Sequence, residues 1–182
     1  MSAEQVAEPA DPPRIETTWA WLCRAVDHIG RPGPGISFPL APVTEDGLGP
    51  ARCSVLVVPS LPQSAHIARD FIRTTLADRA ARERIEDVAV TASELLSNAL
   101  RYGRPSAGAE ELQPALWLAY WDRWSCAVCG VTDESDEVPV AVEAEELAES
   151  GRGLQVVSAL SDGWGWNPRA DGGKVVWALF RL

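Results

Sequence analysis

The sequence predicts an α+β two-layer sandwich, in which helices cover one face of a mostly antiparallel sheet. Three observations carry that prediction: short β-branched and aromatic runs bounded by turn residues, segments with apolar residues at helical spacing, and the order in which they alternate. The chain has 182 residues, 46% of them hydrophobic, which suffices for one domain with a real core plus an appendage.

Residues 1–52 differ from the rest. They carry proline- and glycine-bearing pieces such as ADPP and GRPGPG, and only TTWAWLCRAVDHIG has the character of a short helix. The stretch reads as a flexible or loosely docked extension, with Trp19 and Trp21 as anchors to the domain or to a partner. The domain proper is expected over residues 53–182.

From Cys53 the pattern is regular. CSVLVVP is a β-branched run stopped by Pro59 and predicts a strand. LPQSAHIARDFIRTTLADRA sets Ile67, Phe71, Ile72 and Leu76 at helical spacing. ERIEDVAVTASELLSNALRYG does the same with Ile85, Val88, Ala92, Leu95, Leu96 and Ala99, and Gly103 ends it. PALWLAYWD and RWSCAVCGVTD predict antiparallel strands joined by a tight turn near Asp122 and Arg123. The acidic stretch ESDEVPVAVEAEELAE has the character of a lid-like loop. In SGRGLQVVSALSDGWGW, Leu154, Val157 and Leu160 mark a helix opening after Gly151 and Gly153, and GGKVVWALFRL closes as a strand. Trp117, Trp121, Trp124 and Trp177 fall in strands and are expected in the core or on a sheet face; Trp164 and Trp166 fall in a glycine-rich turn and are expected to be exposed.

Charge and cysteine usage narrow the function classes. Sixteen basic against 26 acidic residues give a net charge of −10, which repels a phosphate backbone, and no basic cluster offsets it. Nucleic acid is therefore not expected as a partner. The N-terminus is not basic then apolar, and no run is long enough to span a bilayer, so a cytoplasmic protein is expected. Four scattered cysteines in a chain of this size favour reduced thiols. The one motif-like pair, CAVC, lies in a predicted strand, where residues three apart point to opposite faces; core thiols are expected there rather than a metal or redox site.

The chemistry-bearing residues form an ordered set. SELLSNALRYG puts Glu94, Asn98 and Arg101 on one narrow stripe, roughly opposite Ala92, Leu96 and Ala99. By itself that is an ordinary solvated helix face. Downstream, however, Asp133 ends an apolar strand where a carboxylate can hydrogen-bond a base edge. SGRGL then presents glycines at a helix start, where backbone N–H groups bind phosphate and glycine permits close approach.

This ordered set resembles the histidine-kinase-type ATPases with the Bergerat α/β fold, and within them the anti-sigma-factor serine kinases, over roughly residues 53–182. ELLSN is similar to the family's helical box of a glutamate followed four residues later by an asparagine. The resemblance implies that Asn98 coordinates a Mg2+ held between ATP phosphates and that Glu94 is the general base toward a protein serine hydroxyl. Mg2+ takes hard oxygen ligands and phosphoryl transfer needs positioning with a carboxylate for the hydroxyl proton, so the residue types agree. Asp133 corresponds to the adenine-binding aspartate, and Gly151, Arg152, Gly153 and Leu154 to the glycine box beside the phosphates, where Arg152 adds a cation. Arg101 completes the nucleotide-facing stripe.

The chain departs from the family at four places. Ser135 stands where glycine follows the aspartate by two residues, Tyr102 where many relatives have histidine, and Lys174 where a threonine is usual; the lid between Glu134 and Glu149 has no basic residue. Three classes follow. The leading one is a Mg-ATP-dependent serine/threonine kinase that phosphorylates an anti-sigma antagonist of the STAS type and/or binds a sigma factor, with homodimerisation common among such kinases. The second is a catalytically weak or inactive nucleotide-gated protein-binding module of the same fold. The third is a non-nucleotide interaction domain, supported by eight tryptophans.

Overall fold

Period-two alternation in the central strands builds two apolar layers at once. The computed structural model describes residues 37–39, 52–59, 61, 63–103, 113–122, 125–139, 152–169 and 172–182. In chain order these form β1 (Ser37–Pro39), β2 (Arg52–Val57), α1 (Ser64–Leu76), α2 (Arg82–Tyr102), β3 (Ala115–Trp121), β4 (Cys126–Asp133), α3 (Gly153–Leu160), β5 (Gly163–Pro168) and β6 (Lys174–Arg181). The strands make one sheet in the order β1-β2-β3-β4-β6-β5, antiparallel at every pairing. The α+β sandwich with an antiparallel sheet is thus the observed fold. Its first strand, β1, falls inside the proline- and glycine-bearing extension. The TTWAWLCRAVDHIG segment, Trp19, Trp21, Trp124 and most of the acidic lid lie outside the described residues.

Leu116, Leu118 and Tyr120 of β3, Ala127, Cys129 and Val131 of β4, and Val176, Ala178 and Phe180 of β6 share a buried core with the helices. The intervening residues, Trp117, Trp121, Cys126, Val128, Val175, Trp177 and Leu179 among them, form a second buried cluster that, among the described residues, includes no helical one. Cys126 and Cys129 accordingly fall on opposite faces, as the strand spacing requires.

On that second face two glycines make room for indoles. Trp117 pairs across β3 and β4 with Gly130, where a Cβ would lie 2.3 Å from Trp117 Cζ2. Gly165 pairs with Trp177, whose Cζ2 would be 2.7 Å from a Cβ there. The glycine-rich segment is therefore a strand rather than a turn. With glycines on the side of the Trp177 ring, Trp164 and Trp166 point the other way and pack, partly buried, against the helical core. The expectation of exposure for those two tryptophans is corrected by this alternation.

The helices dock by narrow stripes of small and branched residues. In α1 the buried positions Ser64, Ala68, Ile72 and Leu76 recur every four residues; Ile67 and Phe71 flank the stripe instead of leading it, because small Ala68 lets the backbone come close. In α2 the six apolar positions picked out by periodicity are all buried. Gly103 N–H closes α2 on Ala99 O at 2.8 Å. Arg84 ties three elements together: it donates to Leu160 O (2.9 Å) and Arg181 O (2.7 Å), pairs with Asp87 and Asp162, and lies 5.1 Å from the Phe180 ring centroid. Among the described residues, no helix is long and apolar enough to cross a membrane.

Candidate functional site

Glu94 and Asn98 project from α2 toward the start of α3. A Cβ built on Gly153, the first residue of α3, would lie 3.1 Å from Glu94 Oε2 and 3.1 Å from both Oδ1 and Nδ2 of Asn98. Such spacing is tighter than ordinary contact, so glycine is what lets a carboxylate and an amide reach this helix end. The opening N–H groups of a helix have no partner within it and carry the positive end of its dipole. The arrangement can therefore hold an anion, provided that a cation offsets the carboxylate.

The helix face is braced from behind. Ser93, buried beside Glu94, accepts a hydrogen bond on its Oγ from Arg69 Nε of α1 at 3.1 Å, and its carbonyl accepts from Ser97 Oγ at 2.7 Å. The first bond ties α1 to α2 where Glu94 and Asn98 leave the helix, and the second lies within α2.

A second cluster sits where α2 ends. Asp133, the last residue of β4, is only 7% exposed, and a Cβ on Gly103 would be 2.7 Å from its Oδ1. That Oδ1 accepts the Ser135 N–H at 2.8 Å, while Oδ2 lies 2.9 Å from Lys174 Nζ. Lys174, 4% exposed, faces Asp133 directly in the β4–β6 register and also donates to the Ser135 carbonyl at 2.8 Å. The β5–β6 turn, with Gly172 at φ 94° and Gly173 at φ 70°, folds over this loop. Positive φ and the contact with the Asp133 carbonyl, which a Cβ would approach to 2.3 Å, both require glycine at 173. Asp136 Oδ1 accepts the Gly173 N–H (2.8 Å), and Arg169 pairs with Glu134 at 3.2 Å.

The sequence-predicted residues thus fall into separate places. Glu94, Asn98 and Gly153 come together at the α2–α3 junction. Asp133 and Ser135 come together at the end of β4. Arg101 is exposed at the end of α2, its guanidinium 5.8 Å from the Tyr102 ring centroid. Arg152 is the exposed N-cap residue of α3, and Leu154 is buried in the helical core. Gly151 lies outside the described residues. Sequence reasoning noted Lys174 only as a departure and did not foresee its pairing. The available signal was one lysine in an apolar final strand and one aspartate in an apolar inner strand, since buried charges of opposite sign are normally partners. Gly103 ends α2 and also lies against Asp133.

A cavity of about 530 Å³ lies elsewhere, at the α1–α2 connection, lined by Arg73, Ala77, Ala80, Arg82, Ile85 and Glu86. It includes none of the predicted site residues, and its Arg73–Glu86 pair is a two-pronged tie at 2.8 and 2.7 Å. Among the described residues no group of three or more His, Cys, Asp or Glu could hold a metal ion.

A family model described as the histidine kinase-like ATPase domain matches residues 58–180, more than half of the chain. The chain belongs to the histidine kinase-like ATPase family. No curated protein matches it. Membership implies nucleotide binding by the domain. In the histidine kinase-like ATPase domain seen here, the matched segment begins just after β2 and contains both the Glu94–Asn98–Gly153 and the Asp133–Lys174 groupings.

Proposed function

We propose that the protein binds Mg-ATP between α2, the start of α3 and the end of β4, and acts in the cytoplasm as a regulator of transcription through protein partners. Its phosphoryl acceptor is a serine or threonine hydroxyl of an anti-sigma antagonist of the STAS type, and its alternative partner is a sigma factor. The observation that carries this reading is the convergence of Glu94 and Asn98 on Gly153.

The residues fit the ligand. Phosphate oxygens at a helix N-terminus would be repelled by the adjacent Glu94 carboxylate unless a divalent cation lay between them, and Asn98 Oδ1 is a hard oxygen ligand suited to Mg2+. Bound Mg2+ supplies neutralisation of phosphate charge. Glu94 takes the proton from the partner's hydroxyl as its oxygen bonds to the γ-phosphorus, and ADP departs with the electrons of the broken P–O bond. Arg152, exposed at the N-cap of α3, provides a cation beside the phosphates. A homodimer accords with the same reading.

A second reading has one observation in its favour. Asp133 is engaged by Lys174, so base recognition starts from an occupied carboxylate. That favours a nucleotide-gated binding module, in which ATP orders the partner surface and transfer is slow or absent.

Thermal unfolding with and without Mg-ATP, run beside Asn98→Ala, tests the nucleotide site. Ligand at a hundredfold its dissociation constant adds about 2.7 kcal/mol and raises Tm by about 5–10 °C. The rise is expected in the wild type and reduced or lost in Asn98→Ala. No rise in the wild type at millimolar Mg-ATP would overturn the reading.

A further inference from the structure

We propose that residues 17–30 dock as an amphipathic helix on the sheet face away from α1, α2 and α3, with Trp19, Leu22, Val26 and Ile29 set against its tryptophans. Surface and occupant both belong to this chain, and the proposal is independent of the nucleotide site.

Side chains stand up from both faces of a sheet, so an apolar face needs a cover on each side. On one side the helices supply it. The other carries the indoles of Trp117, Trp121 and Trp177, which are nonetheless only 3%, 2% and 7% exposed, while Ala119 and Val128 between them show no surface at all. Neighbouring rings can shield an alanine or a valine. Nothing within the sheet shields the outer faces of the rings themselves. Among the described residues this cluster contains strand residues only, so its cover comes from chain outside them. A single chain shows this burial, so no second copy is needed to account for it.

Of the remaining stretches, residues 17–30 match such a face. At about 100° per residue, Trp19, Leu22, Val26 and Ile29 fall within an arc of about 80°, with Trp21, Arg24 and His28 on the opposite side. Gly30 and Pro32 then stop the helix. Residues 40–51 and 104–112 are interrupted by proline and glycine, and the glutamate-bearing lid runs into α3 on the helical side.

The tether is long enough. Residues 31–36 lead into β1, the edge strand beside β2, and six residues at about 3.3 Å each span about 20 Å. Strands about 4.8 Å apart put β4 about 14 Å from β1, and a layer about 10 Å above the sheet makes that about 17 Å. A helix over residues 17–30 is about 21 Å long and crosses the face from β2 to β6.

The test uses the full chain, with hydrogen exchange and timed iodoacetamide alkylation at pH 8 both read by mass spectrometry. Cys53 and Cys126 lie on the proposed docking face and Cys129 on the helical one, so the two faces report separately. In the wild type, residues 17–30 are expected to exchange at least about tenfold more slowly than an unstructured peptide. Val26→Asp, which puts a charge into the stripe, is expected to abolish that protection and to speed alkylation of Cys53 and Cys126 at least about tenfold, with Cys129 still protected. Trp21→Asp, on the opposite side, should behave as the wild type in both assays. Wild-type exchange at the unstructured rate overturns the proposal; alkylation of Cys53 and Cys126 that then rises on dilution assigns the face to a second copy. Protection that survives Val26→Asp, or is lost equally in Trp21→Asp, overturns it too. So does protection lost without faster alkylation of Cys53 and Cys126, which would place the segment elsewhere. If Val26→Asp does not fold, marked by rapid alkylation of all three thiols, Val26→Ser gives the same comparison at smaller amplitude.

Discussion

Asn98 and Gly153 meet where α2 passes the start of α3: a Cβ at position 153 would lie 3.1 Å from both terminal atoms of the Asn98 amide. Gly153→Ala therefore probes the site rather than the fold. The new methyl group displaces the amide and Glu94 by a few tenths of an ångström. Alanine also removes the backbone-entropy cost of glycine in a helix, about 0.5–1 kcal/mol, so stability should change by less than about 1 kcal/mol either way. Mg-ATP affinity should fall by up to about tenfold, because the proposed ligand groups are moved part of the way toward a misplacement of 1 Å. Unfolding curves with and without Mg-ATP separate the two effects, and an unaltered affinity would show that the Asn98–Gly153 approach is incidental.

Glu94 and Asn98 should separate by role. Glu94→Ala is expected to retain Mg-ATP binding within a few-fold while phosphotransfer to a protein hydroxyl falls by about 10²–10⁴. Asn98→Ala is expected to weaken Mg-ATP itself. Phosphoprotein formation from labelled ATP and equilibrium binding, run on the same preparations, give the comparison; wild-type values for both variants in both assays would remove Glu94 and Asn98 from the site.

Gly130→Ala should destabilise through the far face of the sheet. Its Cβ would come within 2.3 Å of Trp117 Cζ2 and 2.6 Å of Cε2, and a buried indole cannot yield that far. Overpacking of this kind costs about 1–3 kcal/mol or more. Trimming the ring in Trp117→Leu/Gly130→Ala should recover part of the loss relative to the sum of the single variants. Chemical denaturation of the four proteins measures the coupling; strict additivity would refute the steric account.

The buried thiols set an alkaline limit. Burial pushes the thiols of Cys53 and Cys129 up to about 12 and that of Cys126 up to about 11, from the ordinary thiol value of 9.0. A raised folded-state pKa contributes stability that is complete below the unfolded value and disappears as pH climbs through the folded one. The urea midpoint should accordingly decline from about pH 9 upward. At pH 8 these three cysteines should resist iodoacetamide until the protein unfolds, and mass mapping of carboxamidomethylated peptides reads this directly. Rapid labelling of Cys129 in the native protein would contradict its place in the core.

The sequence by itself determined the layer architecture and half of the site. Hydrophobic period is a local property, so the six apolar positions of α2 and the in–out alternation of β3, β4 and β6 were legible residue by residue. The four-residue step from Glu94 to Asn98 likewise guaranteed a shared helix face before any fold was known. Local reading fails in α1, where Ile67 and Phe71 flank the buried stripe, and in the GWGW stretch, where composition suggests a turn and the neighbouring Trp177 ring goes with a strand. What tertiary structure alone decided are the meetings between distant segments. Gly153 under Asn98, Gly130 opposite Trp117, and Lys174 against Asp133 depend on strand register and helix placement, which no local pattern encodes. In the sequence Lys174 is one substitution in a strand, whereas across the β4–β6 ladder its ammonium completes the hydrogen-bonding pattern of a buried carboxylate.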